Sequence, residues 1–287
     1  MSDPDADPCT WNPDGGSTVG AASTAGGYSR SRRKVNQDRF GCTLGVSSTA
    51  LVVCDGHGDD GEAVSTLVRD ASMELASLLA HSSPNAVCRA IDARVRALGS
   101  LALFSGCTMV LAVDVGDAVH VVNVGDSRAI GVTAQGRARP LSKDHKPDEP
   151  SERARIEQAG GTVTMPRQRG GVPRVGGLAL SRAFGDLAIA SHGVISEGEL
   201  VVARKSELQF VVLVSDGVVD VMGDDELALA VHELAALRLP LAEVALRVVS
   251  ECRERWWDMT RETYCDDVTC AIRRVNAVAA DAGAPRL

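Results

Sequence analysis

The sequence predicts an α+β protein in which antiparallel β-sheets pack face to face with helices on the outside. Three observations carry that expectation. Short β-branched runs neighbour one another along the chain, a Gly-Asp turn joins two of them, and amphipathic segments fall between groups of strands without strict βαβ alternation.

The strand runs are 51–54, 107–115, 118–124, 128–132, 210–214 and 268–272, each dense in Val, Ile or Leu. Gly116 and Asp117 stand between two of them, the local chemistry of an antiparallel hairpin. Helical spacing is clearest in Val64, Leu67, Val68, Ala71, Leu75, Leu78 and Leu79, which recur every three or four residues as one buried stripe requires. Asp59 and Glu62, three apart, read as a capping box ahead of it, with Asp60 also in a cap role. Further helices are predicted over 85–98, after Pro84, and over 225–237 and 241–256.

With 287 residues the chain accommodates one large domain. Residues 1–25 are rich in Pro, Gly, Ser, Thr and Asp and read as a flexible tail, 26–275 as a single domain, and 276–287 as a second tail. Aromatic residues are 3% of the chain, so Val, Leu and Ala must build the core. A net charge of −8 excludes partners held by bulk positive charge, namely nucleic acid and anionic lipid surfaces. It does not exclude a phosphorylated substrate met by one local cation. No apolar run approaches the ~18 residues of a membrane span. The 8 cysteines form no CxxC pair and follow no secretory leader, so reduced thiols in the cytoplasm, or in the nucleus, are expected.

The chemistry lies in where the aspartates fall. Asp55 ends the run LVVCDGHG, Asp216 ends FVVLVSDG and Asp126 ends VVNVGDSR, while Asp266 and Asp267 stand before VTCAI and Asp38 sits in NQDRF. Carboxylates gathered at strand edges repel one another unless a cation lies between them. An all-oxygen set favours Mg²⁺ or Mn²⁺ over zinc. Any one of these aspartates, taken alone, is equally well a turn or cap residue.

The ordered series RKVNQDRF, VVCDGHG, SGCTMVLAV, VNVGDSRAIG, LSKDHKP, RIEQAGGTV, RVGGLALSRAFGD, VLVSDGVVDVM and CDDVT resembles the metal-dependent protein serine/threonine phosphatases of type 2C. The resemblance implies a four-layer α-β-β-α sandwich of two antiparallel sheets flanked by helix pairs. It also implies hydrolysis of phosphoserine and phosphothreonine by direct attack of a water activated by two Mg²⁺ or Mn²⁺ ions. By that resemblance Asp55 bridges the ions, the Gly56 carbonyl holds one, and Asp216 and Asp266 hold the other. Asp126 shares a weaker third site with Asp216, and Asp38 steadies the waters. Arg33 holds the phosphate, its planar guanidinium suiting two oxygens at once. His57 protonates the leaving oxygen. The partners implied are phosphorylated proteins, and a monomer is expected.

Arg30, Arg32 and Lys34 read as solvated charges, His145 as a structural turn residue, Arg182 and Asp186 as a buried salt-bridge pair, and Cys107 as non-catalytic. The sequence departs from the family pattern at Gln37, where many relatives carry Glu, at Asp59 for Gly, and at Asp267 for Asn. The segment 146–173 matches the place of a variable flap. The competing class is a catalytically inactive relative that serves as a regulatory or binding module; a metal-dependent hydrolase of small phosphoesters would use the same site.

Overall fold

Valine-rich segments with side chains alternating between two buried faces set the frame of the molecule, a computed structural model that describes residues 9–11, 18–44, 49–166 and 171–275. β1 (Cys9–Trp11) and β2 (Val19–Thr24) come first, then the short hairpin of β3 (Gly27–Ser29) and β4 (Arg32–Arg33). β5 (Arg39–Leu44), β6 (Thr49–Cys54) and the two-residue β7 (Gly56–His57) lead to α1 (Gly61–Leu75) and α2 (Pro84–Arg96). β8 (Gly106–Cys107), β9 (Met109–Val115), β10 (Ala118–Val124), β11 (Arg128–Val132) and β12 (Ala138–Pro140) follow. An excursion carries α3 (Pro150–Gln158), β13 (Val163–Thr164), β14 (Arg174–Val175) and β15 (Phe184–Gly185). β16 (Glu199–Arg204), β17 (Phe210–Val214), α4 (Asp216–Val219), α5 (Asp224–Ala236), α6 (Leu241–Thr260) and β18 (Val268–Arg274) complete the described chain.

Two large antiparallel sheets result, one ordered β1-β2-β18-β17-β11-β12 and the other β16-β10-β9-β6-β5. The two-residue period of a strand explains how they are buried. In β17, Val211 and Leu213 face Leu51, Val53, Val110 and Ala112 of the other sheet. Phe210, Val212 and Val214 point the opposite way, into a core with Val231, Val244, Val248 and Trp256 of α5 and α6. Val52, Cys54, Met109 and Leu111 likewise pack with Val64, Val68, Ile91 and Val95 of α1 and α2. Truncating a filled position such as Leu213 to Ala costs about 2–5 kcal/mol.

β10, β11 and β17 run as the sequence predicts, but four expectations need correction. First, 1–25 is not a tail throughout: Cys9–Trp11 and Val19–Thr24 are strands of the larger sheet. Val19, Ala21 and Ala22 are fully buried, and a Cβ on Gly20 would lie 2.0 Å from the Ala242 nitrogen of α6. The small residues that read as a tail are what lets the helix lie so close. Second, the run expected over 107–115 breaks at Thr108, whose N–H donates to the Asp55 carbonyl (2.9 Å) and whose hydroxyl accepts from the Asp55 N–H (3.0 Å). Third, α1 gives way to a 3₁₀ turn over Ala76–Ala80; that shift of phase leaves Leu78 exposed while Leu79 stays buried. Fourth, the cap position of α1 is Asp60, without a side-chain cap bond, and Glu62 reaches Arg39 (2.6 Å) instead of closing a capping box.

α3 and the β13–β14 pair build a small core of their own around Ile156, Val163, Val175 and Leu180 in the segment expected to be a flap. Residues 167–170 of it, like the expected tail 276–287, lie outside the described residues. Among the described residues no helix is long and apolar enough to cross a membrane.

Candidate active site

Antiparallel pairing brings the aspartates to one rim. The C-terminal ends of β6, β10 and β17 lie beside the N-terminal ends of β5, β9 and β18, as the pairings Arg39↔Cys54, Val124↔Met109 and Val214↔Cys270 show. Asp55, Asp126 and Asp216 follow the first three strands, while Asp38 precedes β5 and Asp266 and Asp267 precede β18. Six carboxylates from strands far apart in sequence therefore share one edge. Trp256 of α6 donates its indole N–H to the Gly217 carbonyl (2.7 Å), fixing the turn that carries Asp216.

The cluster is electrostatically unsatisfied. Burial, then the charges of Asp38, Asp216, Asp266 and Asp126, push the Asp55 carboxyl far above its ordinary range. Burial, then Asp126 and Asp266, do the same to Asp216. Asp38 is pushed up to about 7 by burial and then by Asp267, against the Ser215 hydroxyl that donates to its Oδ2 at 2.7 Å. Its other oxygen, Oδ1, is buried with no hydrogen-bond partner among the described residues. Asp220, one helical turn beyond Asp216, is raised by burial, with Asp126 and Asp266 adding to the effect. The spacing of Asp216 and Asp220 in SDGVVD was the signal for this extra member.

This donor set fits hard divalent cations: it is all oxygen, crowded, and ends in an open buried acceptor. Among the described residues no three acidic, His or Cys side chains converge closely enough to enclose an ion by themselves. Ions here would take one or two carboxylates each and keep several waters, the habit of Mg²⁺.

Two lysines, neither expected at the site, supply local counter-charge. Lys34 is not a solvated charge: its Nζ lies 2.6 Å from Asp266 Oδ1 and 3.4 Å from Asp267 Oδ2. Burial opposes that ammonium, yet the two aspartates outweigh it and hold Lys34 well above its usual range. Lys146 meets Asp126 at 2.5 Å. Arg30 and Arg32 are not merely solvated either, Arg30 pairing with Glu254 (3.0 Å) and Glu262 (2.9 Å) and Arg32 lying over the Tyr28 ring. Arg33 is exposed on β4, directly before the lysine that reaches Asp266.

Gly56 is buried in β7, where a Cβ would come within 2.4 Å of the Gly61 carbonyl oxygen, so close packing already requires the glycine. Gln37 donates its amide to the Gly58 carbonyl (2.7 Å), a bond that an ionised Glu could not make. Asp267 accepts from the backbone N–H of Gly26 (2.7 Å) and of Gln37 (3.0 Å), and so ties the NQD loop to β18. His145 accepts from the Gly125 N–H through Nδ1 (3.0 Å), a structural bond beside the Asp126 turn.

The expected Arg182–Asp186 pair is corrected. Arg182 binds Glu152 at 2.6 Å and Glu199 at 2.9 Å, whereas Asp186 Oδ2 meets Nε2 of His57 at 2.7 Å. The true partners lie far along the chain from LSRAFGD and cannot be matched from sequence alone; the β7–β8–β15 pairing brings Asp186 to His57. Cys107 is fully buried and its thiol is pushed far up, first by that burial, as suits an inert residue.

A two-sheet sandwich that gathers crowded carboxylates at one rim, with an arginine and a histidine on adjoining segments, belongs to the class of cation-assisted hydrolases. Residues 46–256 match the family model described as protein phosphatase 2C. The chain is 35% identical over 291 residues to the probable protein phosphatase 2C 48 of Oryza sativa subsp. japonica, covering 85% of this chain and 80% of that relative. It is 32% identical to the probable protein phosphatase 2C 61 of Arabidopsis thaliana, covering 89% of this chain and 83% of that one. The chain belongs to the protein phosphatase 2C family, a family of metal-dependent protein serine/threonine phosphatases.

The crystal structure of serine-threonine phosphatase 2C from Toxoplasma gondii has the same fold, with a TM-score of 0.71 at 23% identity over 92% of this chain and 98% of that one. A C. elegans sex determining protein matches with a TM-score of 0.72 at 21% identity, over 94% of this chain and 65% of that one. At such identities the likeness speaks for the fold alone.

Proposed function

We propose that this chain removes phosphate from phosphoserine and phosphothreonine of protein substrates at the carboxylate rim, with Asp55, the Gly56 carbonyl, Asp216 and Asp266 holding two Mg²⁺ or Mn²⁺ ions. Asp126, with Asp216 and Asp220, would hold a weaker third. The observation that carries this reading is the crowding of Asp38, Asp55 and Asp216, three buried carboxylates each raised first by burial and then by neighbouring aspartates of the rim. Bound ions supply that positive charge and acidify a water against the phosphorus.

The chain's own groups do the rest. Arg33, on the exposed β4 hairpin, grips two phosphate oxygens with its fork of N–H donors. Asp38 offers its open Oδ1 to the attacking water. As the water oxygen bonds to phosphorus, the bond to the serine or threonine oxygen breaks. Its electron pair stays on that oxygen, which takes a proton from His57. The three core clusters, one between the sheets and one beneath each helix pair, support a four-layer α-β-β-α sandwich as the scaffold.

The test is Mn²⁺- and Mg²⁺-dependent phosphate release from a phosphothreonine peptide, with EDTA as control and Asp55→Asn and Asp216→Asn as variants. Metal-dependent turnover lost in both variants is the expected result. A folded wild type that binds a phosphoprotein but releases nothing with either metal would establish the regulatory-module reading instead. Turnover of small phosphomonoesters without turnover of phosphopeptides would mark a small-molecule phosphatase.

A further inference from the structure

We propose that Asp186 is a positioning residue for proton delivery: it ties Nε2 of His57, fixes the imidazole in one orientation, and leaves Nδ1 as the ring atom that serves the leaving oxygen. The proposal rests on the reading of His57 as the proton donor.

The contact is built by a sheet dedicated to it. β7, β8 and β15 form three short strands in the order β15-β8-β7, with His57 opposite Gly106 and Gly106 opposite Gly185. His57 and Asp186 thus approach from the two outer strands across the middle one. They can touch only because the middle residue has no side chain. A Cβ on Gly106 would fall 2.1 Å from Asp186 Oδ2 and 2.6 Å from His57 Nε2, in the gap the 2.7 Å contact now spans.

The backbone is bent to bring Asp186 there. Asp186 has φ +49 and Gly185 φ +88, two successive left-handed residues, and only the glycine adopts that region without steric cost. The Asp186 N–H donates to the Ser105 carbonyl (3.0 Å), and its own carbonyl accepts from Ile189 (2.9 Å), so the surrounding loop over-determines the conformation. The carboxylate side chain is 3% exposed against 24% for the imidazole: the anchor is inside and the ring looks outward. The structural carboxylate of the same region, Glu152, is matched instead to the Arg182 guanidinium.

The step balances. Water gives OH to phosphorus, the serine or threonine oxygen keeps the electron pair of the broken bond and takes the Nδ1 proton, and the second water proton returns to His57 through solvent. A carboxylate behind the ring holds it on target throughout, the arrangement that orients a catalytic imidazole in general.

The decisive comparison is between a phosphothreonine peptide, whose alkoxide leaving group needs a proton, and p-nitrophenyl phosphate, whose phenolate leaves without one. Asp186→Asn keeps the shape and tolerates the left-handed backbone, so the fold is retained. Its kcat on the peptide is expected to fall by about 10- to 100-fold, within the span of general acid catalysis, with KM little changed. The loss on the aryl ester should be at least about tenfold smaller, and the Mn²⁺ dissociation constant measured by calorimetry should not move.

His57→Asn should show the same selectivity, and the double variant should lose no more than His57→Asn alone, since the two side chains act as a unit. Gly106→Ala, which keeps both residues but drives their side chains apart, should reproduce the selective loss. Equal losses on both substrates, multiplicative losses in the double variant, or an unimpaired Gly106→Ala would each overturn the role of Asp186. If His57→Asn is itself unselective, the assignment of His57 falls first; if it is selective and Asp186→Asn is not, only the present inference falls.

Discussion

Two clusters of buried charge in this molecule solve opposite problems. Around Arg182, the carboxylate of Glu152 is met by Arg182 at 2.6 Å, by Arg155 at 2.7 Å and by the Ser181 hydroxyl at 2.7 Å. Burial alone would push Glu152 up; the hydrogen bonds from Arg182, Arg155 and Ser181 overcome it and pull the carboxyl well below its ordinary range. At the carboxylate rim burial acts in the same direction, and neighbouring carboxylates add to it. The first cluster is complete within the chain. The second is complete only with something positive added, and that difference separates a charge cluster that builds a fold from one that binds.

The comparison can be broken most forcefully at Asp55. Asp55→Asn is expected to lower peptide phosphatase activity by about 10³-fold, the scale of losing a group that acts in the transition state. Melting in EDTA should at the same time move to higher temperature, because one charge leaves the crowded rim. The converse holds at the other cluster: Glu152→Ala leaves Arg182 buried without its main partner and should destabilise the fold by about 3–5 kcal/mol in a denaturant titration.

The pH dependence of the metal-free protein sharpens the contrast. Asp38 titrates near 7 in the folded chain against an ordinary 3.8, so the folded state holds the extra proton between those values. Its contribution to stability is full below about pH 4 and is lost as pH rises through about 7. Glu152 has the reverse sign, stabilising above its ordinary range and losing that contribution as pH falls. Thermal melts in EDTA should therefore weaken from pH 5 to 7.5, less steeply in Asp38→Asn, and Mn²⁺ should restore the loss by mass action. The smallest expected effect is that of Gln37→Glu. It removes the donor to the Gly58 carbonyl and adds a charge to the rim, which should cost the metal-free protein about 1 kcal/mol while tightening Mn²⁺ binding in calorimetry.

What could be read in the sequence follows from the range of the forces involved. The runs of β10, β11 and β17 and the stripe of α1 are local patterns, and so are the Asp-Gly turns that end β6 and β17. Aspartates at those turns point to a common rim as soon as the strands pair antiparallel. β2 was missed because Gly20 and Ala22 owe their burial to α6, more than 200 residues away, and Ala21 owes its own to the facing sheet, and small residues carry no periodic signal of either. Lys34 and Lys146 look like any other surface lysine until the strands carrying Asp266 and Asp126 are folded against them. Partner choice among Arg182, Asp186, His57 and Glu152 is likewise a property of the assembled loops and of Gly106.

The place of β18 has a consequence for how the molecule is made. This strand lies between β2 and β17 in the larger sheet, pairing with both, although it comes last among the described elements. On a chain emerging from the ribosome N-terminus first, β2 and β17 wait as two separate fragments with bare facing edges, exposed to any chaperone or stray strand that can pair with them. Only when β18 slides between them is the gap closed, and the same event delivers Asp266. Synthesis thus withholds the finished site until the scaffold itself is sealed.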